Sequence, residues 1–344
     1  AGPRTPLPAA VGRPCPELVL PNYDDHDFAK VRLDARSLAA AKARLSELPR
    51  ALDRSMLWMA LWEMVQHGEF DPGEYAELVV RHLPAETNFQ LQAKVAETVY
   101  GRRLNSTSLI FLRDESARFE PFFAGLLAEA SPGSDAQRLW FDSFVRVARS
   151  PAALARLEAF LDGGEAPAGL ELDQDRRWGL VSQLSRFAAP GAQARGAAEL
   201  ARDNSRRAQT EAIAARVLAP DGDAKRAWLA ELADPGTQKP LAELRAAMRH
   251  VFPHEQAEAR RAFAKTYYER LPEFAKNRPS EFVGDFAEQL VPALCSASDG
   301  KTLEAFAAQN AGLGAVALKE VRVALQMNAR CVKVRALLEK GIIR

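Results

Sequence analysis

The sequence predicts an all-α protein: a HEAT-like superhelical stack of antiparallel helix hairpins, with one short β-hairpin ahead of it. Three observations carry this. Helix-start signals, a cap residue backed by a proline, carboxylate or carboxamide, recur along the chain from Asp34 onward. Between them the apolar residues fall at helical spacing. Alternation at the strand period appears once, where Ala29, Val31 and Leu33 are interleaved with Lys30 and Arg32.

Residues 1–21 carry Pro3, Pro6, Pro8, Pro14, Pro16 and Pro21, and proline lacks the donor that a central strand needs, so this segment reads as a linker or sheet edge. Leu18, Val19 and Leu20 stop at Pro21, and Tyr23-Asp24-Asp25-His26-Asp27 makes a polar turn before the alternating run. The expectation over residues 17–34 is a hairpin with one wet face. A lone hairpin is marginal in water, so its sheet is expected upstream, and with Ala1 rather than Met at the start the sequence reads as part of a longer chain. Two units follow from this: residues 1–34 as linker and hairpin, residues 35–344 as the helical domain.

Asp34 is the expected N-cap of the first helix, where Leu38, Ala41 and Leu45 share a face until Pro49 ends it. Leu52, Met56, Leu57, Met59, Ala60, Leu61, Met64 and Val65, with Trp58 and Trp62 four apart, mark the next. A methionine and tryptophan stripe can bind ligands, but at this spacing a packed core helix is the better reading. Asp71-Pro72-Gly73-Glu74 supplies a cap, an N1 proline and an N3 glutamate, and Thr87 with Gln90 and Ser134 with Gln137 repeat the logic. Ser150-Pro151 starts a helix that runs to Leu161 and stops at Gly163-Gly164. Asp173-Gln174-Asp175 puts carboxylates at the positive end of a helix through Trp178, Val181 and Leu184. Later helices start near Ser205, Asp221, Pro240, His254, Pro279, Asp299 and Gly314, and roughly sixteen helices in succession are expected over the whole chain. The long final stretch, Ala315 to Lys340, is expected to close the stack.

Composition bounds the function. With 47% hydrophobic and 26% charged residues the chain is that of a folded protein, and a formal charge of +1 gives no net field to hold a nucleic acid. No apolar run approaches the roughly 20 residues that span a bilayer. Cys15, Cys295 and Cys331 are odd in number and far apart, which suggests neither a disulfide framework nor a thiolate zinc site, so a reducing, cytoplasmic setting is expected.

No catalytic or metal-ligating constellation emerges. His254-Glu255-Gln256-Ala257-Glu258 is half of a zincin helix, but Glu258 stands where the second histidine is needed, so no cofactor is expected in this chain. His67 and His82 fall in last helical turns, where the dipole favours a cationic histidine, and His26, His250 and His254 are scattered. Asp24, Asp25 and Asp27 form a dense acidic turn without the rest of a calcium loop. The runs Arg102-Arg103, Arg176-Arg177, Arg206-Arg207 and Arg260-Arg261 read as solvated helix ends and faces.

The stretch Leu-Val-Leu-Pro-Asn-Tyr-Asp-Asp-His-Asp-Phe-Ala-Lys-Val-Arg-Leu-Asp from Leu18 resembles the junction in aminopeptidase N family zinc metallopeptidases, in the bacterial, actinobacterial-type variant. There a β-sandwich domain passes into a C-terminal helical domain. The similarity continues through Leu48 to Val65, Tyr75 to Leu83, Arg177-Trp178-Gly179-Leu180 and the Leu318 to Lys340 helix. The resemblance implies a HEAT-like bowl that covers an active site and encloses a peptide chamber. Its partners would be its own upstream catalytic and β-sandwich domains and a peptide substrate, with zinc held in the catalytic domain. His-Glu-x-x-His and Gly-x-Met-Glu-Asn do not occur here, so no catalytic residue transfers to this sequence. The resemblance also implies that the helical domain can supply a basic group for a peptide's C-terminal carboxylate. Arg176 and Arg177 are the candidates, because a planar guanidinium binds a carboxylate bidentately, against the plainer reading of an intrahelical pair with Asp173 and Asp175. The alternative function is a free-standing α-solenoid scaffold that holds a protein partner in its groove.

Overall fold

Side-chain caps decide where this chain turns helical. In the computed structural model, which describes residues 6–101, 107–164, 166–220 and 222–341, Asp34 accepts from the N–H groups of Arg36 and Ser37 at 2.9 and 3.0 Å. Asp71 caps on Glu74, Ser134 on Gln137, Ser150 on Ala153 and Asp173 on Arg176, all at 2.9–3.2 Å. One expected cap is displaced: Asn88 rather than Thr87 accepts from Leu91 N–H. The expected start near Asp221 lies outside the described residues.

The helices that result are α1 (Ala35–Arg44), α2 (Ala51–Gln66), α3 (Pro72–His82), α4 (Phe89–Tyr100), α5 (Leu109–Leu112) and α6 (Ser116–Glu129). Next come α7 (Asp135–Val147), α8 (Pro151–Leu161), α9 (Gln174–Arg186), α10 (Ala192–Arg202), α11 (Arg206–Leu218) and α12 (Asp223–Ala233). The last are α13 (Leu241–His250), α14 (Ala257–Asn277), α15 (Ser280–Gln289), α16 (Ala297–Gln309) and α17 (Ala315–Glu339). Among the described residues there is no strand, so the fold is all-α.

The expected hairpin over residues 17–34 is therefore corrected. Asn22, Asp24 and Asp25 take left-handed φ values of 56–60°, and the Asn22 side chain closes the turn by accepting from Asp27 N–H and donating to Asp27 C=O at 2.8 and 2.7 Å. The arms do not pair with each other. Val19 N–H donates to Ser37 Oγ, while Leu18, Leu20, Val31 and buried Leu33 each pack onto the helical core. A two-stranded ladder buries too little to compete with that docking.

The helices pack in two layers. One row runs α2, α4, α7, α9, α11, α13, α15 and α17, each against the next but one or two in sequence, and α6, α8, α10, α12, α14 and α16 back it. α2 is buried over most of its surface, through Met56, Leu57, Trp58, Leu61, Met64 and Val65, which bears out the core reading of its stripe; Leu52 and Met59 alone of that stripe are exposed. α17 packs on α15 and α16 and reaches back to α2 and α5, so the last helix meets the first ones and closes the array.

A second correction concerns the cysteines. Cys295, in the connection from α15 to α16, is disulfide-bonded to Cys331 on α17 with a Cα–Cα distance of 5.3 Å, and Cys15 is free and exposed. The two are 36 residues apart in sequence, a spacing with no pairing signal in it, and they meet only because α17 folds back over that connection. The cysteines thus no longer speak for a reducing compartment.

Candidate functional site: a charged cleft along one layer

Five successive helices of the first row, α4, α7, α9, α11 and α13, line a cleft of about 490 Å³. Its wall combines the rings of Tyr100, Phe141 and Trp178 with a set of charges. Arg176, in the first turn of α9, donates to Asp142 of α7 at 3.1 Å and to its own cap Asp173 at 2.7 Å. Arg207 meets Asp175 at 2.7 Å, and Arg186 makes a two-armed pair with Glu255, with the second contact at 2.7 Å. Among the described residues the cleft cation without a carboxylate partner is Arg146, whose guanidinium lies 5.2 Å from the Tyr100 ring centre.

The two arginines singled out from the sequence point to different places. Arg176 lines the cleft. Arg177 does not: it donates to Glu199, buried on α10, at 2.7 Å and to Leu161 C=O at 3.4 Å. One residue of helix rotates a side chain by about 100°, which is enough to send neighbours to opposite sides.

Electrostatics in the cleft follow burial. Desolvation raises the carboxyl pKa of Asp142 above its ordinary value although Arg176 pulls it down. It does the same to Glu211 against Arg207, and it raises the Tyr100 phenol. His250 moves the other way, because burial disfavours its cation. Buried Trp178 has an indole N–H with no hydrogen-bond partner among the described residues. The cleft therefore offers one cation not tied to a carboxylate, an unused donor and aromatic faces, a set suited to an anionic group carried on an apolar body.

The other candidates have local explanations. His82 ends α3, is buried, and bonds to Ser46 Oγ and Lys42 C=O, and His67 bonds to Glu63 C=O at the end of α2. Asp24 pairs with Arg50, and Asp25 accepts from Asn22. His254 lies against Arg186 and edge-on to Phe111. Among the described residues no cluster of three or more His, Cys, Asp or Glu side chains is arranged to hold a metal ion. The run Arg102-Arg103 lies outside the described residues. Arg260 overturns the reading of its run as solvated surface, since it is 7% exposed. Arg146, Tyr100 and Glu211 escaped the sequence reading, which placed His250 only among the scattered histidines. The i,i+4 spacing of Asp142 and Arg146 marks a shared helix face, but nothing in one sequence tells that face from a wet one.

Fold and cleft define the class: a closed array of paired helices with a charged cleft along one layer. The ERAP1-like C-terminal domain family matches residues 18–326, and the chain belongs to that family. It is 30% identical over 305 residues to an aminopeptidase N from Streptomyces lividans, a match that takes in 87% of this chain and 34% of that protein. The chain thus spans about a third of the length of that relative. No helix among the described residues is long and apolar enough to cross a membrane.

Proposed function

We propose that this chain is the non-catalytic C-terminal domain of a zinc aminopeptidase, enclosing the peptide chamber and so controlling which peptides reach a catalytic domain carried elsewhere in the protein. The parent protein then releases N-terminal amino acids. What carries the reading is membership of the ERAP1-like C-terminal domain family together with the match to about a third of an aminopeptidase N. Residues 35–344 form the helical unit and residues 1–34 the lead-in from a β-sandwich domain. Its partners are its own catalytic and β-sandwich domains and the peptide.

Within the cleft the proposal gives Arg176 the peptide's C-terminal carboxylate, with Arg146 as a second donor, while Arg177 holds α10 behind the wall through Glu199. In the whole enzyme Arg176→Ala is expected to raise KM for short free-acid peptides about tenfold, the value of one charge-assisted contact, and to leave C-terminally amidated peptides unchanged. Equal effects on both substrates return Arg176 to a structural pair with Asp142. A reading frame that does not continue into a His-Glu-x-x-His helix removes the aminopeptidase reading itself and leaves the free-standing scaffold. A cytoplasmic location belongs to the same proposal, and recovery of the whole protein outside the cytoplasmic fraction would remove it.

A further inference from the structure

A second cavity, about 300 Å³, lies away from the charged cleft, where α14, α15 and α17 meet the α5 segment. Arg260 is the buried cation in its lining. This guanidinium is deeply desolvated, and all its hydrogen bonds run to backbone carbonyls: Phe252 at 3.0 Å, Gln289 at 3.5 Å and Val291 at 3.5 Å. Among the described residues it makes no ion pair, and burial lowers its pKa only to about 10, so it keeps its charge at neutral pH. A buried cation that faces carbonyl dipoles and no anion is incompletely compensated, and two of its three contacts are long.

The rest of the cavity narrows what would complete it. Val291, Val323, Ala324 and Met327 give an apolar wall. Glu288 and Glu320 also line it, with Glu320 held by Lys319 at 3.2 Å, and their charges disfavour a ligand with more than one negative charge. The volume suits a body of four or five carbons beside a carboxylate. We propose that this cavity binds a small monocarboxylate, its carboxylate on Arg260 and its apolar tail along α17. A free amino acid and a short branched fatty acid both carry that chemistry. The inference is independent of the aminopeptidase reading, since what is measured is binding to this chain.

Calorimetric titration of the 344-residue chain with leucine, 4-methylpentanoate, leucinamide and inorganic phosphate tests it. At least one of the two carboxylates is expected to saturate with a Kd of about 1 mM or tighter, the range open to so small a molecule, and the tighter of the two identifies the source. Leucinamide and phosphate are expected to bind at least tenfold more weakly. Arg260→Met should weaken the carboxylate at least tenfold while the chain stays folded by circular dichroism. Ala324→Phe, which fills the cavity from α17 and leaves Arg260 in place, should do the same and carries the test if Arg260→Met does not fold. Absence of saturation by either carboxylate, equal binding of leucinamide or phosphate, or unchanged binding in a folded variant would overturn the proposal.

Discussion

Among the described residues the best-buried ion pair joins Arg54 of α2 to Glu86, in the link from α3 to α4, through two contacts of 2.7 Å with side chains only 9% and 2% exposed. Glu86 also accepts from Asn88 N–H, the residue that caps α4. Burial alone would raise the Glu86 pKa, but the Arg54 fork and that N–H hold it below the ordinary carboxylate range. Removing one partner leaves a buried charge uncompensated, so Glu86→Gln is expected to cost about 3–5 kcal/mol in denaturant unfolding, whereas Arg54→Met with Glu86→Leu should recover most of it. The sign of the pH effect follows from the depressed folded pKa. The stabilisation is present above the unfolded value of 4.5 and is lost as pH falls through the folded value, so wild type and Glu86→Gln should converge in acid. Neither residue stands out in the sequence, because the pairing spans 32 positions and depends on how α2 lies beside the α3–α4 link.

At the scale of elements, what was legible in the sequence is what local chemistry decides. Asp34, Asp71, Ser134 and Ser150 cap the helices they were expected to cap, and Asp173, expected in the first turn, caps its helix too, because a side-chain oxygen reaching the N–H three residues on needs nothing from the rest of the chain. Two helices without that signal, α6 and α10, are not marked in the sequence. α10 begins after Gly191 with no side-chain cap, and α6 carries Pro121 inside it, a residue that normally argues against a helix interior. The segment from Leu18 to Asp34 failed for the opposite reason: its period-two pattern is real, but pairing in a sheet depends on partners that its own residues do not specify. The cleft was half legible. Asp173 placed the start of α9 and hence Arg176 near a helix N-terminus, but only the lateral packing of α7 against α9 brings Asp142 to it and sends Arg177 away.

At the scale of the molecule, the seam between first and last helices decides how the chain behaves as one body. The buried apolar residues form two clusters, one drawn mainly from residues 33–215 and the other from residues 213–321. α17 belongs to both, with Ala317 and Val321 in the second cluster and Cys331 and Val334 in the first. An open helical array couples only neighbours, whereas this closure ties the two clusters together across the whole sequence. Gly68, just past α2, is where the seam is tightest. Its φ is +65°, and a Cβ placed there would stand 2.7 Å from Leu337 Cδ1. Gly68→Ala therefore adds a left-handed alanine, at about 1–2 kcal/mol, and displaces the Leu337 side chain by which α17 meets the end of α2. Four of the five tryptophans, Trp58, Trp62, Trp140 and Trp178, lie in or against the first cluster, so their fluorescence reports it while far-ultraviolet circular dichroism reports all helices. In the wild-type chain the two thermal transitions are expected to coincide. In Gly68→Ala they should separate, with fluorescence and dichroism midpoints several degrees apart, because the clusters then melt with less reference to each other. A variant that lowers both midpoints together would show that the seam adds stability without coupling the two halves.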